Sequence, residues 1–373
     1  MQVNDNFKLL KQMLSDMQTA PDIYKPTNYW AVYEKRFLPE LFKLGLHDFR
    51  RRKKSILSSF RATDLKPLLC HIDLYQRRIL YNRYTRKIPF WSELLGILNI
   101  ILNKVLPVKS DFNLGDIDLL HYEFARLYGQ TTNAKPIEQL EASTLGNPEH
   151  IIEVNGKIYT MDMLNYYVQY AYCNQYTTFE DIKVFVELGS GSGKQIEVIK
   201  KLHPNICFLV FDIPPQLYVL EQYLSSVFPN DVISYQETRN IGVIPRLEAG
   251  KIYVFGNWKF PLLKDLRIDL FWNAASFQEM EPDVVRNYLT YVNKLADGVF
   301  LAESMEGKEI ASKKGDHGVL KQTKFQDYKD GLHDFHLLNL SPVVLPVSKR
   351  GGYSFLFWKR KNSAQGDDAI KIN

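Results

Sequence analysis

Cysteine is scarce in this chain. Only Cys70, Cys173 and Cys207 occur among its 373 residues, and they lie far apart. An odd number of widely spaced cysteines argues against a disulfide framework and against a Cys-x-x-Cys metal site. We therefore expect a reducing, cytoplasmic setting.

Long apolar runs are also missing. The most apolar stretch, 94–102 (LLGILNIIL), is much shorter than the roughly 20 residues that a membrane-spanning helix needs. The first residues lack the basic-then-apolar layout of a secretory signal, because Asp5 interrupts them and no small-residue cleavage site follows. We therefore expect neither a membrane span nor export.

A strong excess of one charge is absent as well. The 47 Lys and Arg residues exceed the 42 Asp and Glu residues to give a net charge of +5, which falls short of a nucleic-acid footprint. No nucleic-acid partner is expected. One basic cluster, Arg50 to Lys54, has two interpretations. It is a solvated surface, or it makes a peripheral contact with a membrane surface or another phosphate-bearing partner.

The remaining composition, 45% hydrophobic and 24% charged, is that of a globular protein. Residues 1–135 carry large apolar side chains at helical spacing and predict a helical N-terminal domain. Residues 136–180 combine turn signals, a hairpin at Asn155-Gly156 and a tyrosine-rich helix. We interpret this second segment as a connector that covers the substrate.

From residue 181 to residue 361, short strand patterns alternate with helix patterns. This alternation predicts an α/β fold with a mostly parallel, Rossmann-like sheet, and the last two strand patterns predict an antiparallel hairpin. Residues 362–373 form a polar tail that we expect to be flexible.

A glycine-rich segment, VFVELGSGSGK, follows the first strand pattern of this α/β part. Gly189, Gly191 and Gly193 alternate with other residues, which allows positive φ angles and close approach of backbone N–H groups to a ligand. A helix is expected to begin at about Lys194, and its N-terminus favours a carboxylate or phosphate. The segment therefore predicts a binding turn.

Three ligand classes compete for this turn. A nucleoside-triphosphate loop requires Gly at Leu188 and Ser or Thr at Gln195, so the sequence excludes it. A dinucleotide fingerprint has its third glycine where Lys194 stands, which leaves NAD or FAD as a distant alternative.

The segment resembles motif I of class I S-adenosylmethionine-dependent methyltransferases, in which an acidic residue precedes Gly-x-Gly-x-Gly. Asp212 ends the next strand pattern, roughly 20 residues on, where a carboxylate can accept both ribose hydroxyls. The stretch from Phe211 to Pro214 is also similar to the small-molecule O-methyltransferase group. The alternative for Asp212 is a helix N-cap. The resemblance implies S-adenosyl-L-methionine as cofactor, bound by Glu187, Gly189, Ser190, Gly191, Gly193, Asp212 and Ile213.

Two later segments are expected to complete the cofactor site. The amide of Asn257 can pair with an adenine edge and Trp258 can pack on the ring, although a turn with a core tryptophan explains them equally well. Asn273 ends the fourth strand pattern, where ligands lie in such sheets.

The phrases SFQEMEPDVVRNYL and LEASTLGNP resemble a bacterial family of sugar O-methyltransferases, over about residues 141–360. This resemblance implies methyl transfer to a hydroxyl of a sugar or glycoconjugate, in the biosynthesis of a bacterial surface glycan. The alternatives are a methyltransferase for another small polar molecule and a non-catalytic binding protein that keeps the fold.

In many related O-methyltransferases the base is a histidine just after the fourth strand, but here that place holds Gln278 and Glu279. Glu279 is our candidate base, because a shielded carboxylate can take up a proton. Its alternative is a capping or hydrogen-bonding role.

Other site residues are less firmly indicated. His317 and His333, with His336 nearby, are further candidates for the base. Asn147 and Gln278 are candidates for contact with the acceptor. We expect no metal, because no pair of residues at ligand spacing stands out.

Overall fold

The computed structural model describes residues 3–51, 114–149, 151–342 and 353–361. The first two of these ranges contain three α-helices, α1 (Phe7–Gln18), α2 (Asn28–Leu44) and α3 (Leu114–Thr131). They agree with the helical pattern expected there. The apolar stretch 94–102 and Cys70 lie outside the described residues, and so does the tail 362–373.

The connector has the hairpin and the helix that its sequence predicts. Strands β1 (Ile152–Val154) and β2 (Lys157–Tyr159) pair antiparallel. Asn155 and Gly156 between them have φ angles of 53° and 75°, the conformation that a two-residue hairpin turn requires. Helix α4 (Met161–Cys173) follows and buries most of its side chains.

An eight-stranded sheet forms the centre of the molecule, in the order β5-β6-β4-β3-β7-β8-β10-β9. Its strands are β3 (Val184–Leu188), β4 (Cys207–Asp212), β5 (Val232–Ile233), β6 (Ile252–Gly256), β7 (Ile268–Ala274), β8 (Ala296–Ser304), β9 (Phe335–Pro342) and β10 (Tyr353–Arg360). The helices between them are α5 (Lys194–Leu202), α6 (Pro214–Val227), α7 (Tyr235–Thr238), α8 (Pro282–Leu295) and α9 (Phe325–Gly331).

Seven of the eight strands point in the same direction, and β10 is the exception. Strand β10 pairs antiparallel with both β8 and β9. The chain builds outward from β3 through β4 to β6, and then returns to place β7 on the other side of β3. This reversal creates a switch point at the carboxyl ends of β3 and β7, where open α/β sheets bind ligands. The expected Rossmann-like fold class is confirmed.

Apolar side chains cover both faces of the sheet. Along β4, Phe208 and Val210 enter one buried cluster, whereas Leu209 and Phe211 enter the other, as the two-residue period of a strand requires. Both faces of this strand are therefore buried, which explains its continuous apolar sequence.

The N-terminal helices share a core with the sheet. Leu10 of α1 and Phe37 of α2 belong to the same buried cluster as Leu217 and Leu220 of α6. The described residues of the N-terminal range thus pack directly on the α/β part, and the proposed boundary at residue 135 stays a prediction. Among the helices of the described ranges, none combines the length and the apolar character needed to cross a membrane.

Candidate functional site

The glycine turn leaves the carboxyl end of β3 at the switch point. Gly189, Gly191 and Gly193 have φ angles of 76°, 57° and 75°, which other L-residues rarely adopt. A Cβ atom on Gly189 would lie 2.2 Å from Ser276 Oγ, and one on Gly193 would lie 2.8 Å from Leu224 Cδ1. At Gly191 a Cβ atom would meet nothing within 4 Å. Gly191 therefore faces open space, whereas its two neighbours are packed against protein.

Asp212, at the end of the adjacent strand β4, lies directly beside this turn. Its Oδ2 accepts a hydrogen bond from the backbone N–H of Gly191 at 2.8 Å, and its Oδ1 accepts one from Ile213 at 2.8 Å. Burial raises the pKa of Asp212 to about 7, although both hydrogen bonds oppose that shift. The structure thus brings together the carboxylate and the turn that the sequence analysis paired.

Glu187 lies beneath the turn and is almost fully buried, with 3% of its surface exposed. Its Oε2 has no hydrogen-bond partner among the described residues. Burial raises the pKa of Glu187 to about 8, against the effect of a hydrogen bond from Ser190. A buried acceptor without a partner is costly, so a bound group that donates a hydrogen bond would relieve a real deficit here.

Asn257 and Trp258 follow strand β6, next to β4. The side-chain amide of Asn257 donates to the carbonyl oxygen of Tyr24 at 2.7 Å and to the hydroxyl of Tyr288 at 2.9 Å. Its Oδ1 is buried without a partner among the described residues. Asn257 can therefore only accept a hydrogen bond from a ligand. The sequence analysis expected it both to donate to the adenine edge and to accept from it. The ring of Trp258 packs over Gly256 and is partly exposed.

Asn273 stabilises the loop after β7 and has no polar group left over. Its amide donates to the carbonyl oxygen of Leu188 at 2.8 Å and to Ser276 Oγ at 2.7 Å, and its Oδ1 accepts from Phe277 at 3.0 Å. Asn273 is also completely buried. The prediction that Asn273 contacts the cofactor is therefore wrong. Its side chain links the ends of β3 and β7.

The prediction that Gln278 contacts the acceptor is also wrong. Its amide donates to the hydroxyl of Tyr353, and its Oε1 accepts from the backbone N–H of Ser304 at 2.7 Å. The side chain is fully buried, so it cannot contact an acceptor in this arrangement. Its role is to join the loop after β7 to strands β8 and β10.

Glu279 differs from Gln278, because its carboxylate remains at the carboxyl edge of the sheet. Oε2 accepts a hydrogen bond from the indole N–H of Trp30 at 3.1 Å, and Oε1 lies 3.1 Å from Lys308 Nζ. The side chain is 12% exposed. Its charge contributes to the raised pKa of Asp212, which indicates that the two carboxylates share one region of the site.

Two of the candidate histidines, His333 and His336, do not lie at the carboxyl edge of the sheet. His333 has a side chain that is 70% exposed, and its ring lies 3.1 Å from Asn293 Nδ2 near the end of α8. Because α8 ends where β8 begins, this is the amino edge of the sheet, opposite the glycine turn. His336 pairs with Lys359 at the same edge. The expectation that His333 or His336 is the base is therefore wrong, because both lie at the edge opposite the glycine turn.

His317 lies on the correct side of the sheet but contacts other residues. Its Nδ1 is 2.6 Å from Glu309 Oε1, and its ring packs against Tyr29 and Tyr33. The side chain is 43% exposed. The structure places it at the rim, beside helix α2, without a described contact to Glu279.

Asn147 lies beside residues of the basic cluster and not beside the glycine turn. Asn147 donates to Asp48 Oδ1 at 2.8 Å and accepts from Arg51 at 3.1 Å, and no described contact joins it to the glycine turn. Arg50 is buried and donates to the carbonyl oxygen of Ser143 at 2.6 Å. The expectation of a surface cluster is therefore wrong for Arg50, and residues 52–54 lie outside the described residues.

Sequence reasoning missed three residues that shape the site. Trp30 and Lys308 contact Glu279, and Lys194 is buried beneath the turn, where it donates to Asp162. Lys194 had a signal, since it follows Gly193 directly. Trp30 and Lys308 had none, because their contacts depend on tertiary structure. No cluster of three or more metal-ligating side chains occurs within the part of the chain that is described, and the absence of a metal stays a prediction.

Comparison with known proteins gives only distant likenesses. No family model and no curated protein matches this chain. Similar solved structures include mitomycin 7-O-methyltransferase MmcR, with 10% identity and a TM-score of 0.35, and the pyocyanin biosynthetic protein PhzM, with 12% and 0.34. Each likeness covers 54% of this chain, and 57% and 58% of those chains, respectively.

A third similar structure is the glycopeptide N-methyltransferase MtfA complexed with S-adenosyl-L-methionine. Its identity is 11% and its TM-score 0.36, and the likeness covers 52% of this chain and 92% of that one. Scores this low carry no argument about activity. The class of protein rests on the strand order and the glycine turn, which together define a Rossmann-like α/β fold with its switch point at the carboxyl edge of the sheet.

Proposed function

We propose that this protein is an S-adenosylmethionine-dependent O-methyltransferase that transfers a methyl group to a hydroxyl of a sugar. One observation carries the cofactor part of the proposal. The carboxylate of Asp212 is held by Gly191 N–H at 2.8 Å, and Gly191 itself faces open space. A nucleoside lying over Gly191 would place its ribose hydroxyls against a carboxylate that is already oriented.

The other polar groups of the crevice fit the same ligand. The unpartnered Oε2 of Glu187 suits the ammonium of the amino-acid end, because a buried carboxylate gains most from a charged donor. The free acceptor Oδ1 of Asn257 suits the exocyclic amine of adenine. Ile213 and Trp258 are partly exposed beside these groups and offer apolar surface to the ring.

When bound, S-adenosylmethionine supplies a methyl group on a positively charged sulfur. The protein must then align an acceptor hydroxyl with that methyl group and remove the hydroxyl proton. The transfer would form a carbon–oxygen bond to the acceptor while the carbon–sulfur bond breaks and leaves its electron pair on the sulfur. We assign the proton to Glu279, whose carboxylate lies at the carboxyl edge of the sheet with only 12% of its side chain exposed.

The sugar acceptor rests on the resemblance of SFQEMEPDVVRNYL and LEASTLGNP to sugar O-methyltransferases. An acceptor of another small polar type is the second candidate. Mass spectrometry of surface glycans from cells with and without the gene tests the choice. A sugar that gains one methyl group only when the gene is present supports the proposal, and identical glycans contradict it.

Calorimetry with S-adenosylmethionine tests the cofactor assignment. We expect the wild type to bind, Asp212→Asn to bind at least about tenfold more weakly, equivalent to 1.4 kcal/mol, and the exposed Asp181→Asn to bind like the wild type. If the wild type does not bind cofactor at millimolar concentration, both methyltransferase hypotheses, with a sugar or with another small polar acceptor, are contradicted. A non-catalytic binding protein is then favoured.

Turnover tests the base. Glu279→Gln should leave cofactor affinity unchanged and reduce turnover by about 10² or more, since general-base catalysis contributes about that much. Glu306→Gln is the matched control, because Glu306 is 85% exposed on the loop after β8. Unchanged turnover in Glu279→Gln would remove Glu279 from the role.

A further inference from the structure

Helix α2 reaches the carboxyl edge of the sheet and contacts Glu279 twice. The indole N–H of Trp30 donates to Oε2 at 3.1 Å, and the hydroxyl of Thr27 donates to the main-chain oxygen of Glu279 at 2.9 Å. These residues lie about 250 positions before Glu279, so the contacts are not a local consequence of the loop. The start of α2 therefore holds both the backbone and the side chain of the proposed base.

The loop after β8 holds the other carboxylate oxygen. Lys308 Nζ lies 3.1 Å from Oε1 of Glu279 and 5.2 Å from the centre of the Tyr29 ring. The same loop is fastened to α2 through Asn28, whose amide donates to the carbonyl oxygens of Asp316 and Gly318 at 2.9 Å and 2.8 Å. Lys308 is thus fixed against both α2 and Glu279.

The contacts of Trp30 and Lys308 with Glu279 counter the negative charge of nearby carboxylates. Two further carboxylates, Asp212 and Glu303, interact electrostatically with it. Neighbouring carboxylates disfavour ionisation of one another, and a cation or a hydrogen-bond donor opposes that effect. Lys308 and Trp30 supply the cation and the donor, one at each oxygen of Glu279.

We propose that Trp30 and Lys308 are positioning residues for Glu279: they hold its carboxylate ionised and oriented, so that helix α2 completes the catalytic half of the site. This inference rests on the proposed function, because it assumes that Glu279 is the base. It assigns helix α2 a part in the reaction, exerted through Glu279, in addition to its packing on the sheet.

Enzyme kinetics test the inference with three variants. In Lys308→Met the acid limb of the pH–rate profile should move to higher pH by about one unit, because the cation that favours the ionised form of Glu279 is removed. Lys308→Arg should restore the wild-type profile. Trp30→Phe keeps an aromatic ring but loses the donor, so kcat should fall about tenfold at an unchanged cofactor Kd, the fold-change expected for loss of a hydrogen bond to a charged group.

Tyr33→Phe is the matched control on the same helix. The Tyr33 ring packs against Tyr29 and Trp30, and the substitution preserves that packing, so its pH–rate profile should equal that of the wild type. If Lys308→Met and Trp30→Phe also keep the wild-type profile and kcat while Glu279→Gln is inactive, the inference is wrong and the proposed function stands.

A nuclear magnetic resonance measurement tests the contact without any acceptor. In protein labelled with ¹⁵N-tryptophan, the indole signal of Trp30, assigned by its loss in Trp30→Phe, should shift in Glu279→Gln and in Lys308→Met. The other four of the five tryptophans serve as internal controls. A Trp30 signal that stays unchanged in Glu279→Gln would overturn the inference, whatever the activity assays show.

Discussion

The ammonium of Lys194 donates a hydrogen bond to the carboxylate of Asp162, although the two residues lie 32 positions apart. Asp162 is also within 3.4 Å of Arg50, and all three side chains are almost completely buried. Burial alone would raise the pKa of Asp162, but Lys194 and Arg50 hold it well below its usual range. Since Lys194 is the first residue of α5, this ion cluster fixes the helix that follows the glycine turn to helix α4.

Loss of this central carboxylate should destabilise the fold. We predict that Asp162→Asn lowers the free energy of unfolding by about 3–5 kcal/mol, because it removes the carboxylate that pairs directly with two buried cations. Urea unfolding measures the effect, and the exposed Asp181→Asn should change it by no more than about 0.5 kcal/mol. Equal stability of the two variants would show that the Asp162 carboxylate does not stabilise the fold.

Two glycines of the turn should respond differently to the same substitution. Gly191→Ala should keep the fold at a cost of about 1 kcal/mol for its positive φ angle, and should weaken cofactor binding at least about tenfold, because the new methyl group enters open space meant for the ligand. Gly189→Ala should instead destabilise the fold, since its Cβ would lie 2.2 Å from Ser276 Oγ. Calorimetry and thermal unfolding separate the two effects. Normal cofactor affinity in a folded Gly191→Ala would contradict the proposed position of the ligand.

The buried carboxyl of Glu187 should make stability depend on pH. Burial raises its pKa to about 8, so its favourable contribution is complete below the unfolded pKa of about 4.3 and is lost as the pH rises through about 8. We predict that Glu187→Gln becomes progressively more stable than the wild type between pH 5 and pH 8, by at most about 1.4 kcal/mol per pH unit.

Urea unfolding of both proteins without cofactor at several pH values provides the measurement. A stability difference that does not change with pH would refute the assignment. The same variant should bind S-adenosylmethionine more weakly, with the largest loss of affinity near pH 8, because there the wild-type carboxyl ionises and an amide lacks the charge that attracts an ammonium. The predicted gain in stability and loss of affinity together are typical of a group kept for binding.

His333 should prove dispensable. Its side chain is 70% exposed at the amino edge of the sheet, away from Asp212 and Glu279, so His333→Ala should change turnover by no more than about twofold, as for other surface substitutions. A steady-state assay of this variant beside Glu279→Gln decides between the two candidates. A large loss in His333→Ala would return the histidine to consideration as the base.

The parts of the site that the sequence predicted share one property: they depend on local segments and on a general rule of parallel sheets. The glycine turn and Asp212 each end a strand, and adjacent parallel strands end at the same edge, so their proximity followed from the strand pattern. The class of fold followed from the alternation of strands and helices for the same reason.

The remaining assignments depended on where polar side chains point. Asn273 and Gln278 lie close to the crevice in sequence and in space, but the loop after β7 uses their amides to satisfy its own backbone and neighbouring side chains. Spacing cannot distinguish such a use from ligand binding. His333 was misplaced because the chain recrosses the sheet before it. Trp30 and Lys308 were missed because tertiary packing alone brings them to Glu279.

The contacts of helix α2 have a consequence for how the chain folds. Thr27 and Trp30 meet Glu279 across 252 and 249 positions, and contacts this distant in sequence form slowly because a long loop must close first. During synthesis, Leu10 and Phe37 emerge well before Leu217 and Leu220, with which they share a buried cluster. The nascent N-terminal helices therefore carry uncovered apolar faces until α6 has been made, and in that interval these faces are open to aggregation or chaperone binding.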